Sequence, residues 1–237
     1  MTIDTRTESV TAHDGHSFNA HVVLPAVTPA PGLVLVHEIF GVNDYITEVS
    51  QRLARLGYVV LAPDLFGRID PDNPLDHTPE AMGIAFDRVQ QLDVDEAVRD
   101  ADAALAHVSR LEECSGTAGI LGFCLGGTIA FGVAIRSEPD AAVSYYGSGV
   151  ADMLVDADEV HCPMKFIYGG NDPFLPREQV DACVARFADR DDVEVEIFEE
   201  SGHAFDNFGA EMFYDPKAAT TAWGLTADFL RRTLGSE

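Results

Sequence analysis

Apolar residues recur along this chain with two periods. Short runs rich in Val, Leu and Ile read as strands: SFNAHVVLP (17–25), GLVLVHE (32–38), YVVLAPD (58–64), TAGILGF (117–123), AAVSYYG (141–147) and CPMKFIYGG (162–170). VEVEIFEE (193–200) alternates as a half-buried strand would. Between them, apolar positions fall at helical spacing in YITEVSQRLARLG (45–57), DVDEAVRDADAALAHVSRL (93–111), LGGTIAFGVAIRS (125–137), PREQVDACVARFADR (176–190) and PKAATTAWGLTADFLRRTL (216–234). Gly57 stops the first helix, acids at the start of the second suit the helix dipole, and Pro176 opens the fourth. Strands alternating with helices, with the strands almost continuously apolar, predict a mostly parallel sheet covered by helices on both faces. The class is α/β, and residues 1–237 read as one domain. One stretch, residues 66–92, shows no clear period. It predicts an excursion from the domain, of the kind that forms a lid or binding loop.

In an open α/β sheet, ligands bind beyond the carboxyl ends of the strands. The residues found there are His37, Glu38, Asp64, Cys124, Tyr145, Tyr146, Asp172 and His203. Cys124 lies in GFCLG, which fits the G-x-nucleophile-x-G elbow with Cys in place of Ser. The glycines have a physical reason: the nucleophile sits on a strained strand-to-helix turn, and a β-carbon on either flank would crowd it. The turn also sets the sulfur at a helix N-terminus, where backbone N–H groups and the helix dipole favour a thiolate. Taken singly, each residue has a plainer reading. Cys124 fits a packed thiol, Asp172 an Asn-Asp-Pro turn and His203 a surface loop. Chain order favours chemistry. A nucleophile, then an acid, then a histidine, each after a successive strand, is the order of the α/β-hydrolase triad.

Five segments together resemble the dienelactone hydrolase family over nearly the whole chain: VHEIFGVNDYI, GYVVLAPDLFGR, GFCLGG, YGGNDPFLP and SGHAFDN. The resemblance implies an α/β-hydrolase fold and hydrolysis of a carboxylic ester or lactone through Cys124, His203 and Asp172, with no cofactor. It implies that Glu38 contacts the resting thiol and takes part in its activation. It also implies an oxyanion hole made by the backbone N–H groups of Ile39 and Leu125. One departure stands out: where the family pattern has an arginine for a substrate carboxylate soon after the histidine, this chain has Asp206 and Asn207. Arg88 is the remaining candidate cation, in the excursion, and Phe40 and Tyr145 are candidate pocket walls. Asp206 near the substrate would disfavour anionic substrates. Two rival readings are a binding protein that holds a small carbonyl ligand without turnover, and a redox-sensing Cys124.

Composition narrows the setting. Forty acidic residues against fifteen basic ones give a net charge of −25, and only Lys165 and Lys217 are lysines. Such a surface repels nucleic acid and anionic membranes. The four cysteines include no C-x-x-C pair, HEIFG lacks the second histidine of a zincin, RIDPDNPLDH lacks the glycine and terminal glutamate of a calcium loop, and no G-x-G-x-x-G follows the first strands. No metal or dinucleotide is therefore expected. MTIDTRTESVTAHDG lacks the apolar centre of a signal peptide, which predicts a cytoplasmic protein. A small-molecule partner is expected, in a monomer or small homo-oligomer. The acidity fits either an Arg-favouring GC-rich genome or a high-salt cytoplasm. In the second case, screening over about 3 Å at 1 M salt relieves the self-repulsion, and the melting temperature should rise as KCl goes from about 0.1 M to multimolar. A melting temperature that is flat or falls across that series excludes the high-salt reading.

Overall fold

The computed structural model describes residues 4–235. Its eight strands are β1 (Asp4–Thr11), β2 (Ser17–Leu24), β3 (Ala30–Val36), β4 (Val59–Pro63), β5 (Cys114–Phe123), β6 (Ala142–Tyr145), β7 (Met164–Gly169) and β8 (Val193–Phe198). Its helices are α1 (Asp44–Arg55), α2 (Pro79–Gln91), α3 (Val94–Val108), α4 (Leu125–Arg136), α5 (Arg177–Arg186) and α6 (Pro216–Leu234), with a 3-10 turn at Ala151–Glu159. The strands form one sheet in the order β1-β2-β4-β3-β5-β6-β7-β8. β1 and β2 run antiparallel to their neighbours and the rest are parallel, as the apolar runs predict.

The central strands are buried on both faces because both faces carry helices. Along β3, Val34 and Val36 point into one core with α3, α4 and α5, while Leu33 and Leu35 point into the other with α1 and α6. Period-2 alternation is still present in such a strand, but both halves are apolar, so the sequence shows only a continuous run. α4 is buried nearly all round, from Leu125 to Ala134, and sits against the middle of the sheet. α1 is fixed at its start by Asn43, whose side chain accepts from Ile46 N at 3.2 Å, and Gly57 follows its end at φ 97°.

Two elements escape the periodicity. β1 has no apolar period because it is an edge strand on which only Val10 is buried. α2 lies inside the excursion, where no helix is expected. Its buried positions are Ala81, Ala85 and Arg88, two small residues and a cation, while Ile84 and Phe86 face outward. The inner face is helical in spacing but not apolar, so the hydrophobic pattern does not reveal it. Thr78 caps this helix by accepting from Ala81 N, and Pro79 begins it.

The α1/α6 face also buries a carboxyl group. Asp206 is only 2% exposed and accepts from the Tyr45 hydroxyl at 2.8 Å through Oδ2. Among the described residues its Oδ1 has no partner. The proposed contact of Asp206 with substrate therefore does not hold: its side chain turns inward to Tyr45, because this loop folds back under α1. Burial pushes the Asp206 carboxyl up to about 6, against the opposing Tyr45 hydrogen bond and the Arg52 charge. An acid raised in the folded state holds its proton while the unfolded chain loses its own, at about 3.9. Stability is therefore lost as the pH rises from about 4 through about 6, by roughly 3 kcal/mol in all. Asp206→Asn should remove this loss. The melting temperature of the variant minus that of wild type should climb between about pH 4 and pH 7; a difference constant with pH would count against an uncompensated buried Asp206.

Candidate active site

The turn from β5 into α4 lifts Cys124 out of the sheet. Its backbone lies at φ 55° and ψ −116°, a region that residues with a β-carbon seldom enter. The flanking glycines allow it. A β-carbon at Gly122 would lie 2.0 Å from the Gly126 carbonyl oxygen, and one at Gly126 would lie 2.3 Å from that of Val36. Cys124 N donates to the Tyr145 carbonyl at 3.0 Å, which ties the turn to the end of β6. Among the described residues, four non-glycine positions have positive φ, and three of them meet here: Cys124, Tyr146 and Ala204. Strain gathers where the chain must aim side chains past the strand ends.

Three loops bring their groups to the sulfur. Asp172 follows β7, with its side chain fully buried. Its Oδ1 accepts from Phe174 N at 2.8 Å and its Oδ2 lies 2.7 Å from His203 Nδ1. A carboxylate beside Nδ1 puts a proton there and leaves Nε2 toward Cys124 Sγ, 3.0 Å away. Burial alone would lower the basicity of His203. The Cys124 sulfur and the hydrogen bonds to Asp172 and Cys124 outweigh burial and raise it to about 10. The Phe174 ring lies 5.3 Å from the imidazole and edge-on to it, and is 56% exposed, so an apolar surface borders the histidine. The other three thiols, Cys114, Cys162 and Cys183, are buried elsewhere in the fold, and burial pushes the last two up to about 11.

The segment after β3 forms the opposite wall. His37 is fully buried, with Nδ1 2.6 Å from the Glu38 carbonyl and Nε2 3.1 Å from Leu65 N. Burial keeps it neutral, so it donates from Nδ1 and accepts at Nε2. It braces the ends of β3 and β4 against each other. Glu38 is buried and Ile39 half-buried beside it. Leu125, the first residue of α4, has a backbone N–H with no carbonyl one turn earlier to receive it. Leu125 directly follows Cys124, and Ile39 lies two residues after His37, whose carbonyl, with that of Val36, lies against Gly126 of α4.

Of the four substrate-binding candidates, none meets that description. Arg88 is 2% exposed and donates to Asp70 and to the Asn73 carbonyl, so it holds the excursion together rather than facing the site. Tyr145, at the end of β6, turns into the α6 core, where its hydroxyl meets Thr226 at 2.7 Å. Phe40 is buried with Leu75, Ala81 and Ala85 beneath the excursion. Asp206 is bonded to Tyr45. Tyr146 takes the place expected of Tyr145. At φ 38° it leaves the strand, brings its hydroxyl 3.4 Å from Glu38 and its ring 5.0 Å from His203. A one-residue shift in a strand reverses the face a side chain occupies, and periodicity cannot say where a short strand ends. Asn207 and His77 were also missed as partners of Glu38: Asn207 Nδ2 donates to Glu38 Oε2, and His77 Nε2 lies 3.8 Å from the same oxygen. Asn207 stands where a family arginine is expected, a usable sign; His77 is one polar residue among many in the excursion.

The described helices include none long and apolar enough to cross a membrane. The family model described as "Dienelactone hydrolase family" matches residues 18–234. A carboxymethylenebutenolidase of Pseudomonas putida is 36% identical over 223 residues, covering 94% of each chain. Another carboxymethylenebutenolidase, from Pseudomonas sp. strain P51, is 33% identical over 227 residues, again covering 94% of each. Among solved structures, a putative dienelactone hydrolase from Klebsiella pneumoniae superposes with a TM-score of 0.82 at 24% identity, covering 98% of this chain and all of that one. The first of these likenesses spans almost the whole length over which strand ends, turns and loops assemble around Cys124, and the chain belongs to the dienelactone hydrolase family.

Proposed function

We propose that this protein hydrolyses carboxylic esters or lactones by covalent catalysis at Cys124. The contact between His203 Nε2 and Cys124 Sγ at 3.0 Å, with Asp172 behind the imidazole at 2.7 Å, carries this reading. The thiolate attacks the carbonyl carbon, and the oxygen takes up the negative charge beside the N–H groups of Ile39 and Leu125. One such donor is worth about 3–4 kcal/mol in comparable sites. The tetrahedral centre collapses, the C–O bond breaks, and the leaving alkoxide takes the proton from His203 Nε2. For a lactone the new hydroxyl stays on the acyl chain. Water then gives its proton to His203 and attacks the thioester; the C–S bond breaks and the thiolate returns. Asp172 holds the imidazole in one tautomer throughout. A ligand-holding protein without turnover would have no use for a base lifted this far by a sulfur beside it, which favours the enzyme.

Cys124→Ala should abolish hydrolysis across a panel of esters and lactones while the fold and melting curve persist. Turnover retained by the pure variant would remove Cys124 as nucleophile. Cys114, Cys162 and Cys183, changed singly to Ala, should lower stability by about 1–3 kcal/mol through lost packing and leave the chemistry in place.

The relatives' name denotes a butenolide lactone that bears a carboxymethylene group. This chain is better suited to a neutral substrate. Arg88 is already paired, and the carboxyl of Glu38 lies 3.4 Å from the hydroxyl of Tyr146, whose ring is 5.0 Å from that of His203. A substrate carboxylate held about 6 Å from the Glu38 carboxyl, at an effective dielectric near 20, meets a repulsion of about 3 kcal/mol, roughly a hundredfold in binding. Kinetics on a free acid and its methyl ester should favour the ester by at least about tenfold in kcat/KM, allowing for screening by water. A free acid that reacts as fast or faster would mean that a cation other than Arg88 reaches the substrate.

A further inference from the structure

The triad does not use the polar chain that begins at Glu38. Glu38 Oε2 accepts a hydrogen bond from Asn207 Nδ2. The same nitrogen lies 2.9 Å from Nε2 of His77, and Asn207 Oδ1 accepts from Gly209 N at 2.8 Å. Behind the histidine, the Phe40 ring packs at 4.3 Å between centroids. His77 keeps 12% of its side chain exposed, so a proton can reach it from solvent. Three segments distant in the chain meet here: the end of β3, the excursion and the loop that carries His203.

The inventory of donors and acceptors fixes the direction of every bond. Gly209 N–H can only donate, so Asn207 must turn its oxygen toward it. The two protons on Nδ2 then face Glu38 and His77. One goes to the carboxylate. The other points at His77 Nε2, which must therefore offer a lone pair, and the proton of the neutral imidazole must be on Nδ1. Reversing the amide would set Oδ1 against the Glu38 carboxylate and Nδ2 against the Gly209 N–H, two repulsive contacts in a buried place. Protonating His77 creates a donor facing a donor. The carboxylate that an imidazolium would take instead is only 3.8 Å from Nε2.

We propose that His77 is a positioning residue: as the neutral Nδ1–H tautomer it completes the hold of Asn207 on Glu38, and once protonated it draws Glu38 away from Asn207 into an ion pair with the excursion. The kinetic consequence rests on the esterase reading above; the tautomer does not. Glu38 immediately precedes Ile39, and Asn207 lies on the loop of His203, so the bond between them joins the oxyanion segment to the base. Drawing Glu38 toward the excursion loosens that joint. Around His77, the β3 end supplies Glu38 and the Phe40 ring, and the His203 loop supplies the Asn207 amide and the Gly209 backbone. Glu38 is the charged group among these. Asp206, next to Asn207, faces Tyr45.

Two measurements test this. In nitrogen-15-labelled protein at about pH 8, the shifts of the two ring nitrogens should show His77 protonated at Nδ1 and bare at Nε2. Asn207→Ala should yield a mixture of tautomers. A His77 that carries its proton on Nε2 or is cationic at that pH, or an unchanged pure Nδ1–H form in Asn207→Ala, overturns the assignment. In the second measurement, kcat/KM on a neutral ester is followed from about pH 8 to about pH 5.5, each enzyme normalised to its own value at the upper end. Wild type should lose at least about fivefold, and His77→Gln, which can accept from Asn207 but cannot take a proton, less than half of that factor. Superimposable profiles overturn the positioning role. If wild type hydrolyses no ester or lactone at all, the esterase reading fails, and the tautomer still decides the hydrogen-bond assignment.

Discussion

The backbone of Cys124 is the constraint on which the rest of the site depends. Its φ of 55° is accommodated where α4 lies so close to the ends of β5 and β3 that a β-carbon at Gly122 would strike the Gly126 carbonyl and one at Gly126 the Val36 carbonyl. The turn is held from beneath by the Tyr145 carbonyl and at its end by the packing of a helix buried on nearly all sides. Strain of about 1–3 kcal/mol at such a residue persists only where its surroundings over-determine it. Here they do: the two cores on either side of the sheet fix β5, and β5 fixes the sulfur.

Every other group in the site reaches that sulfur from the same edge of the sheet. Parallel strands place their carboxyl ends together, so the loops after β3, β5, β6, β7 and β8 converge without any long connection. Hydrogen bonds then set the angles. Phe174 N holds one oxygen of Asp172, the other oxygen orients His203, and His203 meets the thiol. His37 does the equivalent work for the segment after β3, entirely from within the core.

The charge balance shapes the periphery in a different way. With forty acids to fifteen bases, several cations are shared among two or three acids. Arg68 meets Asp14, Glu96 and Asp100, and the buried Lys165 meets Glu194 and Glu196. Arg88 is also engaged, by a single acid, Asp70, and by the Asn73 backbone carbonyl under the excursion. In so acidic a chain, an arginine in sequence is a poor guide to a free cation in space.

The sequence by itself determined the α/β class and the mostly parallel sheet, and it named Cys124, Asp172 and His203, whose side chains lie in hydrogen-bond reach of one another in the fold. These rest on local properties: apolar period, turn glycines, and the rule that strands in this arrangement end on one side. Tertiary structure alone decided which neighbours of those residues face the site. Tyr145 and Tyr146 are adjacent and alike in composition, yet one is locked to Thr226 and the other to Glu38, because β6 ends between them. α2 is hidden because its inner face carries two alanines, packed with Phe40 and Leu75, and an arginine held by Asp70 and Asn73, none of which makes an apolar helical period. His77, Asn207 and Glu38 are separated by 39 and 130 positions along it. No pattern in sequence relates such distant polar residues; only the closing of the excursion and the His203 loop over the end of β3 brings them within a hydrogen bond.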